Sequence, residues 1–238
     1  MTNDTFLNGH IRIRQNRCGY RFSIDAVLLA HFVNDFKPGA YVLDLGTGCG
    51  IIPLILAFRY PEINFCGVEV QKELAEISRI NVMENQKKHQ IHILCQDMKS
   101  LRLDMFPTPV DCVVTNPPYR KSQSGRVNPN QQRAVARHEI QITLDELLST
   151  ASRLLKPSGA FAAVYMAERL TDMLTQMRGV GIEPKCLRLV HSREGEEARL
   201  VLIKGLKGGR PGIRIAPPLV IYRNDGSYTD ELRQMFEP

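Results

Sequence analysis

The stretch Leu43-Asp44-Leu45-Gly46-Thr47-Gly48-Cys49-Gly50 decides how this chain is read. It closes a short apolar strand over 41–45 and opens an apolar run over 51–60 whose helical spacing stops at Pro61. Three alternate glycines at such a joint let the backbone pass close to a ligand where a Cβ would clash. A glycine-rich strand-to-helix turn also serves dinucleotides, but in those the spacing is GxGxxG. Here it is GxGxG, and Asp44 precedes the first glycine by two residues. A carboxylate there does not suit a pyrophosphate; it can hold a cationic amino-acid group.

Outward from this turn, strand-like and helix-like patterns alternate. Apolar residues recur at helical spacing over 24–36, with Ser23 as the candidate cap and Lys37-Pro38-Gly39 as the stop. After the turn come a strand over 63–70, a helix over 72–84, and strands over 91–95 and 110–115. A long polar stretch follows to about 139, then a helix over 144–155 and strands over 160–166, 187–190 and 200–203. Apolar strand centres with short helical crossovers predict an α/β fold, a mostly parallel central sheet with helices on both faces. In such sheets the ligand sits beyond the carboxyl ends of the strands. The first 23 residues, the 116–139 stretch and the Gly/Pro-rich segment after Ile203 resist the alternation.

Acids stand at those ends. Glu69 closes the second strand, where a carboxylate can accept from both hydroxyls of a ribose. Asp97 follows the third, where a short acceptor reaches an adenine amino group. Any one of the three acids reads more readily as a helix cap or solvated loop residue; together, at successive strand ends behind the glycine turn, they favour a nucleoside site. Here the sequence resembles the Rossmann-like class I methyltransferases that use S-adenosyl-L-methionine, over about 41–155. By that resemblance Asp44, Gly46 and Gly48 line the methionine end, Glu69 the ribose and Asp97 the adenine, and Thr47, Val70 and Met98 also bind the cofactor. Asn116 borders the same cofactor.

Directly after the fourth strand stands Asn116-Pro117-Pro118-Tyr119. Its plain reading is a proline turn that stops a strand, because the residue before proline is held extended. Its chemical reading starts from the poor nucleophilicity of an amino nitrogen whose lone pair is delocalised into a ring or carbonyl. The Asn116 side-chain oxygen and the Pro117 carbonyl can accept its two hydrogens and favour a more pyramidal nitrogen. Proline has no N–H of its own and holds its carbonyl in one direction. Tyr119 offers a face for stacking. The tetrapeptide resembles the signature of amino-group methyltransferases, shared by adenine-N6, guanine-N2 and protein glutamine-N5 enzymes, and so gives the nucleophile type better than the substrate.

The glutamine-N5 enzymes carry a separate N-terminal domain and a Pro-Arg-x-x-Thr-Glu segment, both absent here. In that place stands Gly19-Tyr20-Arg21-Phe22-Ser23-Ile24-Asp25, which resembles the bacterial valine-tRNA (adenine-N6)-methyltransferase family. The resemblance implies a single domain over 1–238, with a segment (about 1–37) folded over the cofactor so that Phe22 and Asp25 lie near it, and a basic C-terminal tail (about 205–238). It further implies an adenine of tRNA as acceptor, near the anticodon. Residues 120–138 hold no acid but carry Arg120, Lys121, Arg126, Arg133 and Arg137, suited to phosphates and base edges. Ala136-Arg137-His138-Glu139 resembles the same family; His138 reads equally as a base or as a structural partner of Glu139.

Composition fits this reading. The 238 residues are 43% hydrophobic and 24% charged, which excludes disorder and disulfide scaffolds. The net charge of +6 is uneven: residues 10–24, 112–138 and 185–214 carry +4, +5 and +5, leaving the remainder at −8. An acidic body with three basic segments favours RNA over a small acidic substrate. The six cysteines include no CxxC pair and no zinc spacing, and Cys66, Cys95 and Cys112 sit in apolar strand-like runs, so they read as reduced core thiols of a cytoplasmic protein, and no metal is expected. No signal peptide or membrane span is expected, since the apolar runs are far short of the roughly 20 residues a bilayer needs. The competing functions are a ribosomal-RNA guanine-N2 or protein glutamine-N5 methyltransferase, a non-catalytic RNA-binding or cofactor-sensing module and, more remotely, an NAD-dependent oxidoreductase.

Overall fold

A computed structural model describes residues 2–16, 23–34, 36–117 and 142–237. The glycine turn joins β3 (Tyr41–Leu45) to α2 (Ile51–Arg59), as the sequence predicts. The crossover pattern continues through β4 (Asn64–Glu69), α3 (Lys72–Glu84), β5 (Ile91–Cys95) and β6 (Val110–Thr115). After the undescribed stretch come α4 (Leu144–Leu154), β7 (Leu155–Met166), α5 (Leu170–Gly179), β8 (Ile182–His191) and β9 (Ala198–Lys207). These strands lie in the order β8-β9-β7-β6-β3-β4-β5, and all are parallel except β9.

The sheet separates two apolar layers. On one face α1 (Ile24–Phe32), α2 and α3 pack over Val42, Phe65, Val114 and Ala162. On the other, α4 and α5 cover Leu43, Val68, Val113, Phe161 and Ile203. Neighbouring residues of one strand thus serve opposite layers, which is why the central strands are mostly apolar on both faces. α4 starts with a full capping box, Thr143 and Glu146 each bonding the other's backbone.

Four features depart from the sequence reading. α1 ends at Phe32 rather than 36, because Val33 turns extended; Val33 and Phe36 still pack inward, which prolongs the apolar period past the helix. Ser23 occupies its N-cap position but makes no side-chain cap bond. The segment before α1 is not featureless: β1 (Thr2–Phe6) and β2 (Ile11–Gln15) form a hairpin packed against α3. The segment after Ile203 is a folded part of the domain. β9 runs on to Lys207, and β10 (Arg214–Ile215) and β11 (Leu219–Val220) both pair parallel with β8, interrupted at Pro217-Pro218. Proline has no N–H for a ladder, so the edge strand breaks there. The short α6 (Asp230–Gln234) then buries Leu232 in the α1 layer, and Phe236 meets Phe6 edge-on at 5.1 Å.

Among the described residues no helix is long and apolar enough to cross a membrane, and no group of three His, Cys, Asp or Glu is placed to hold a metal ion.

Candidate active site

Every parallel strand delivers its carboxyl end to one edge of the sheet, and the pocket forms there. Val68 O accepts the N–H groups of both Gly46 and Thr47 at 2.9 Å, pinning the glycine turn onto β4. Gly46 has φ +77° and Gly48 +58°, backbone that glycine adopts without strain. A Cβ built on Gly46 would meet nothing within 4 Å, so its side-chain direction opens into free space. Thr115 at the end of β6 donates to Leu45 O at 2.8 Å, tying Asn116 to the same turn.

The pocket brings together Gly46, Gly48, Glu69, Val70, Asp97, Met98 and Asn116. Glu69 is buried; its two carboxylate oxygens take the N–H of Gly48 at 3.0 Å and of Gln71 at 2.9 Å. Each carboxylate oxygen offers two acceptor sites. Asp97 caps a short 3-10 turn by accepting Lys99 N–H at 2.9 Å, and the Lys99 ammonium links it to Glu146. Val68, Leu74 and Ile142 supply apolar walls, and Gln71 and Gln96 polar ones. These five were not singled out from the sequence. Val68, Gln71 and Gln96 flank the acids at strand ends and carried that signal; Ile142 arrives from beyond the long polar stretch, and nothing local marks it.

Asp44 lies beneath the turn, outside the pocket wall, with both carboxylate oxygens buried and lacking a hydrogen-bond partner among the described residues. Burial raises its carboxyl to about 7; the nearby Thr47 hydroxyl opposes this and the Glu69 charge adds to it. Thr47 also faces inward, packing over Gly67 of β4, so its contribution to the turn is its backbone. A carboxylate pair buried behind a glycine turn fits a cationic ligand group, whose charge would offset this cost. Acceptors for a diol and an amino group, with apolar walls between them, fit the rest of a nucleoside. The donor set therefore suits S-adenosyl-L-methionine.

Asn116 is half-buried at the pocket and Pro117 is buried. Asp25 stands elsewhere: it lines a wider cleft on the same carboxyl edge, with Met166, Glu168, Ser192 and Arg199 from the ends of β7, β8 and β9. Phe22, Pro118, Tyr119, Arg120, Lys121, Arg126, Arg133, Arg137 and His138 lie outside the described residues. The thiols of Cys49, Cys66 and Cys112 are buried and pushed up to about 12, mainly by desolvation, which leaves them protonated and inert. Cys95 is exposed rather than in the core, since it ends β5, the edge strand.

With this geometry in place, the sequence matches the methyltransferase small domain over residues 24–179. The chain belongs to that family. This methyltransferase is 30% identical to a Porphyromonas gingivalis protein named tRNA1(Val) (adenine(37)-N6)-methyltransferase, covering 100% of the chain and 95% of the relative. A protein of the same name from Aeromonas hydrophila is 28% identical over 99% and 97% of the two chains. Among solved structures, a predicted O-methyltransferase from Agrobacterium tumefaciens superposes with a TM-score of 0.70 at 22% identity, covering 89% of this chain and 94% of that one. A geranyl diphosphate methyltransferase superposes at 0.55, covering 76% of each chain. At 22% and 12% identity these two structures carry the fold alone, and the methyltransferase shares it.

Proposed function

We propose that this methyltransferase transfers a methyl group from S-adenosyl-L-methionine to the exocyclic N6 of an adenine in tRNA. The relatives' name points to adenine 37 of a valine tRNA, next to the anticodon, and the same acceptor is proposed here, with a cytoplasmic location to match. The observation that carries the proposal is the position of Asn116. It leaves β6 tied to the glycine turn through Thr115 and lines the pocket that also holds Glu69 and Asp97.

The cofactor, when bound, supplies an activated methyl group on a sulfonium. The protein's own work is binding and orientation. Glu69 would receive the ribose hydroxyls and Asp97 the adenine amino group, while Asp44, buried beneath the turn, would set a negative charge behind the amino-acid end. The Asn116 side-chain oxygen and Pro117 carbonyl accept the two hydrogens of the target amino group and aim its lone pair at the methyl group. Tyr119 stacks on the target base, which leaves its own stack to enter. No strong base is required at the start, because the proton leaves after transfer, and positioning carries most of the rate. Phe22 closes over the methionine end, and the basic 120–138 stretch holds the RNA.

The test is nucleoside mass spectrometry of tRNA treated with the protein and labelled cofactor. The expected product is N6-methyladenosine in one anticodon fragment of valine tRNA. Asn116→Ala should lower kcat by about a hundredfold or more, the scale for losing a transition-state hydrogen-bonding group, while cofactor affinity changes little. Label in guanine or in protein would overturn the substrate, and parent-like turnover by the variant would overturn the role of Asn116.

A further inference from the structure

Eight Lys and Arg fall between residues 185 and 214, and the sequence does not say which of them act together. The fold sorts them. Lys207 points inward, its ammonium donating to Ser152 O at 2.6 Å and Leu155 O at 2.7 Å behind α4, which makes it structural. Arg193 and Arg199 sit near the carboxyl edge of the sheet, Arg193 over Tyr222 and Arg199 in the cleft with Asp25. Lys185, Arg188, Lys204 and Arg214 instead line one groove beside the end of α1.

Strand register explains the grouping. Lys204 of β9 pairs with Cys186 of β8, and Cys186 pairs with Arg214 of β10. Directly paired residues project from the same face of a sheet. Here it is the α1 face, since the row continues through Ala162 to Val114 in that layer. Arg188, two residues beyond Cys186, shares the face by strand alternation. Lys185 would point the other way, but a bulge between Pro184 and Cys186 breaks the alternation and turns it into the groove.

The described residues that line the groove carry a net positive charge. No Asp or Glu is among the described residues that line it. Lys185 donates to the Arg210 carbonyl at 3.0 Å, and Arg214 to the Cys186 sulfur at 3.2 Å, both neutral acceptors. Lys204 reaches the Asn34 carbonyl at 3.3 Å. Arg188 pairs with Glu231 through both carboxylate oxygens at 2.6 and 2.7 Å, so it builds the wall without adding net charge. His31 also lines the groove; burial first, and then the Arg59 charge, lower it to about 4, leaving it neutral.

We propose that this groove binds the phosphate backbone of the RNA substrate, as an anchor separate from the methyl-transfer pocket. The proposal rests on the reading of the protein as an RNA methyltransferase and deepens it. Val114 lies two residues before Asn116, and the row from it to Arg214 crosses four strand spacings. At ~4.8 Å per strand and ~3.3 Å per residue, the groove cations stand roughly 12 to 20 Å from Asn116. A tRNA spans that distance while one base occupies the pocket. The anchor gives affinity without reading sequence, as phosphate contacts do.

The test compares three forms of the full-length protein on an unmodified tRNA transcript: the parent, Lys185→Gln with Arg214→Gln, and the charge-keeping pair Lys185→Arg with Arg214→Lys. Affinity is measured across a salt series, beside kcat at saturating tRNA and cofactor affinity. The neutral pair should weaken tRNA binding about tenfold near physiological salt and flatten the log–log salt slope by about 1.5, the share of two cations. The charge-keeping pair should restore both, and kcat and cofactor affinity should hold throughout. An unchanged slope in the neutral pair would overturn the groove, and so would equal losses in both pairs, which would mark a structural defect. A parent protein that binds tRNA with this salt dependence but never methylates it would overturn the proposed function and leave the groove standing.

Discussion

Replacing Asp44 by Asn should make the cofactor-free protein more stable at neutral and alkaline pH. Asp44 is buried with both oxygens unpartnered among the described residues, and its carboxyl rises from 3.8 to about 7, first through desolvation and then through the charge of Glu69. A carboxyl raised in the folded state contributes fully below its unfolded pKa, and that contribution is lost as pH climbs to the folded value. A rise of that size corresponds to about 4 kcal/mol lost by pH 8. By pH 5 only about 2 kcal/mol has gone, so the advantage of Asp44→Asn over the parent should grow by about 2 to 3 kcal/mol between pH 5 and pH 8. The amide is close in shape and carries no charge. Its own unsatisfied polar atoms add a roughly constant offset of about 1–3 kcal/mol, so the change with pH is the quantity to read. Urea unfolding of both proteins at several pH values, without cofactor, measures it. A gap that stays flat to within about 0.5 kcal/mol would refute the reasoning, since it would mean the native carboxylate is already compensated. The same variant should bind S-adenosyl-L-methionine more weakly, because the amide has no charge to set against the ligand's ammonium group. Stability held below its maximum at a binding site is the general pattern.

Two further perturbations test how the edges of the domain support the site. Asn81 accepts the N–H of Arg14 at 2.8 Å and donates to Arg14 O and Cys49 O, joining the N-terminal hairpin to the glycine turn from a fully buried position. Asn81→Ala should cost about 2–4 kcal/mol and speed amide exchange across residues 2–16; protection equal to the parent's would show that the hairpin is held otherwise. Leu232 is fully buried in the α1 layer, and Leu232→Ala should cost about 2–5 kcal/mol in urea unfolding, whereas an undocked C-terminal segment would lose almost nothing.

The legible part of the sequence ran from β3 to β6, where strand, turn and helix succeed one another and each apolar period marks a buried face. Glu69 and Asp97 could be picked out because they end strands, and an α/β sheet gathers all its strand ends at one edge. Asn116 was legible for the same reason. Less visible were β8 and β9, whose apolar runs show only their centres. Their outer thirds hold Glu183, Lys185 and Lys207, whose side chains are polar although they lie within the paired strands. The hairpin and the C-terminal segment stayed hidden because their stabilising contacts are distant in sequence. Phe6 needs Phe236, and Arg214 and Leu219 need β8. Short strands broken by prolines carry no periodicity of their own.

The sequence by itself determined the class of fold, the order of its crossovers, the acids at the strand ends and the place of the Asn-Pro-Pro-Tyr tetrapeptide after the fourth crossover strand. All of these are written in neighbouring residues, through local backbone preference and the spacing of apolar side chains. Tertiary structure alone decided that Asp44 and Thr47 lie under the pocket rather than in it. It also placed Asp25 in a second cleft, brought Ile142 to the pocket wall, and gathered Lys185, Lys204 and Arg214 into one groove. Those facts depend on strand register, a bulge and the packing of distant segments, and a side chain's direction and burial exist only once those long-range pairings have formed.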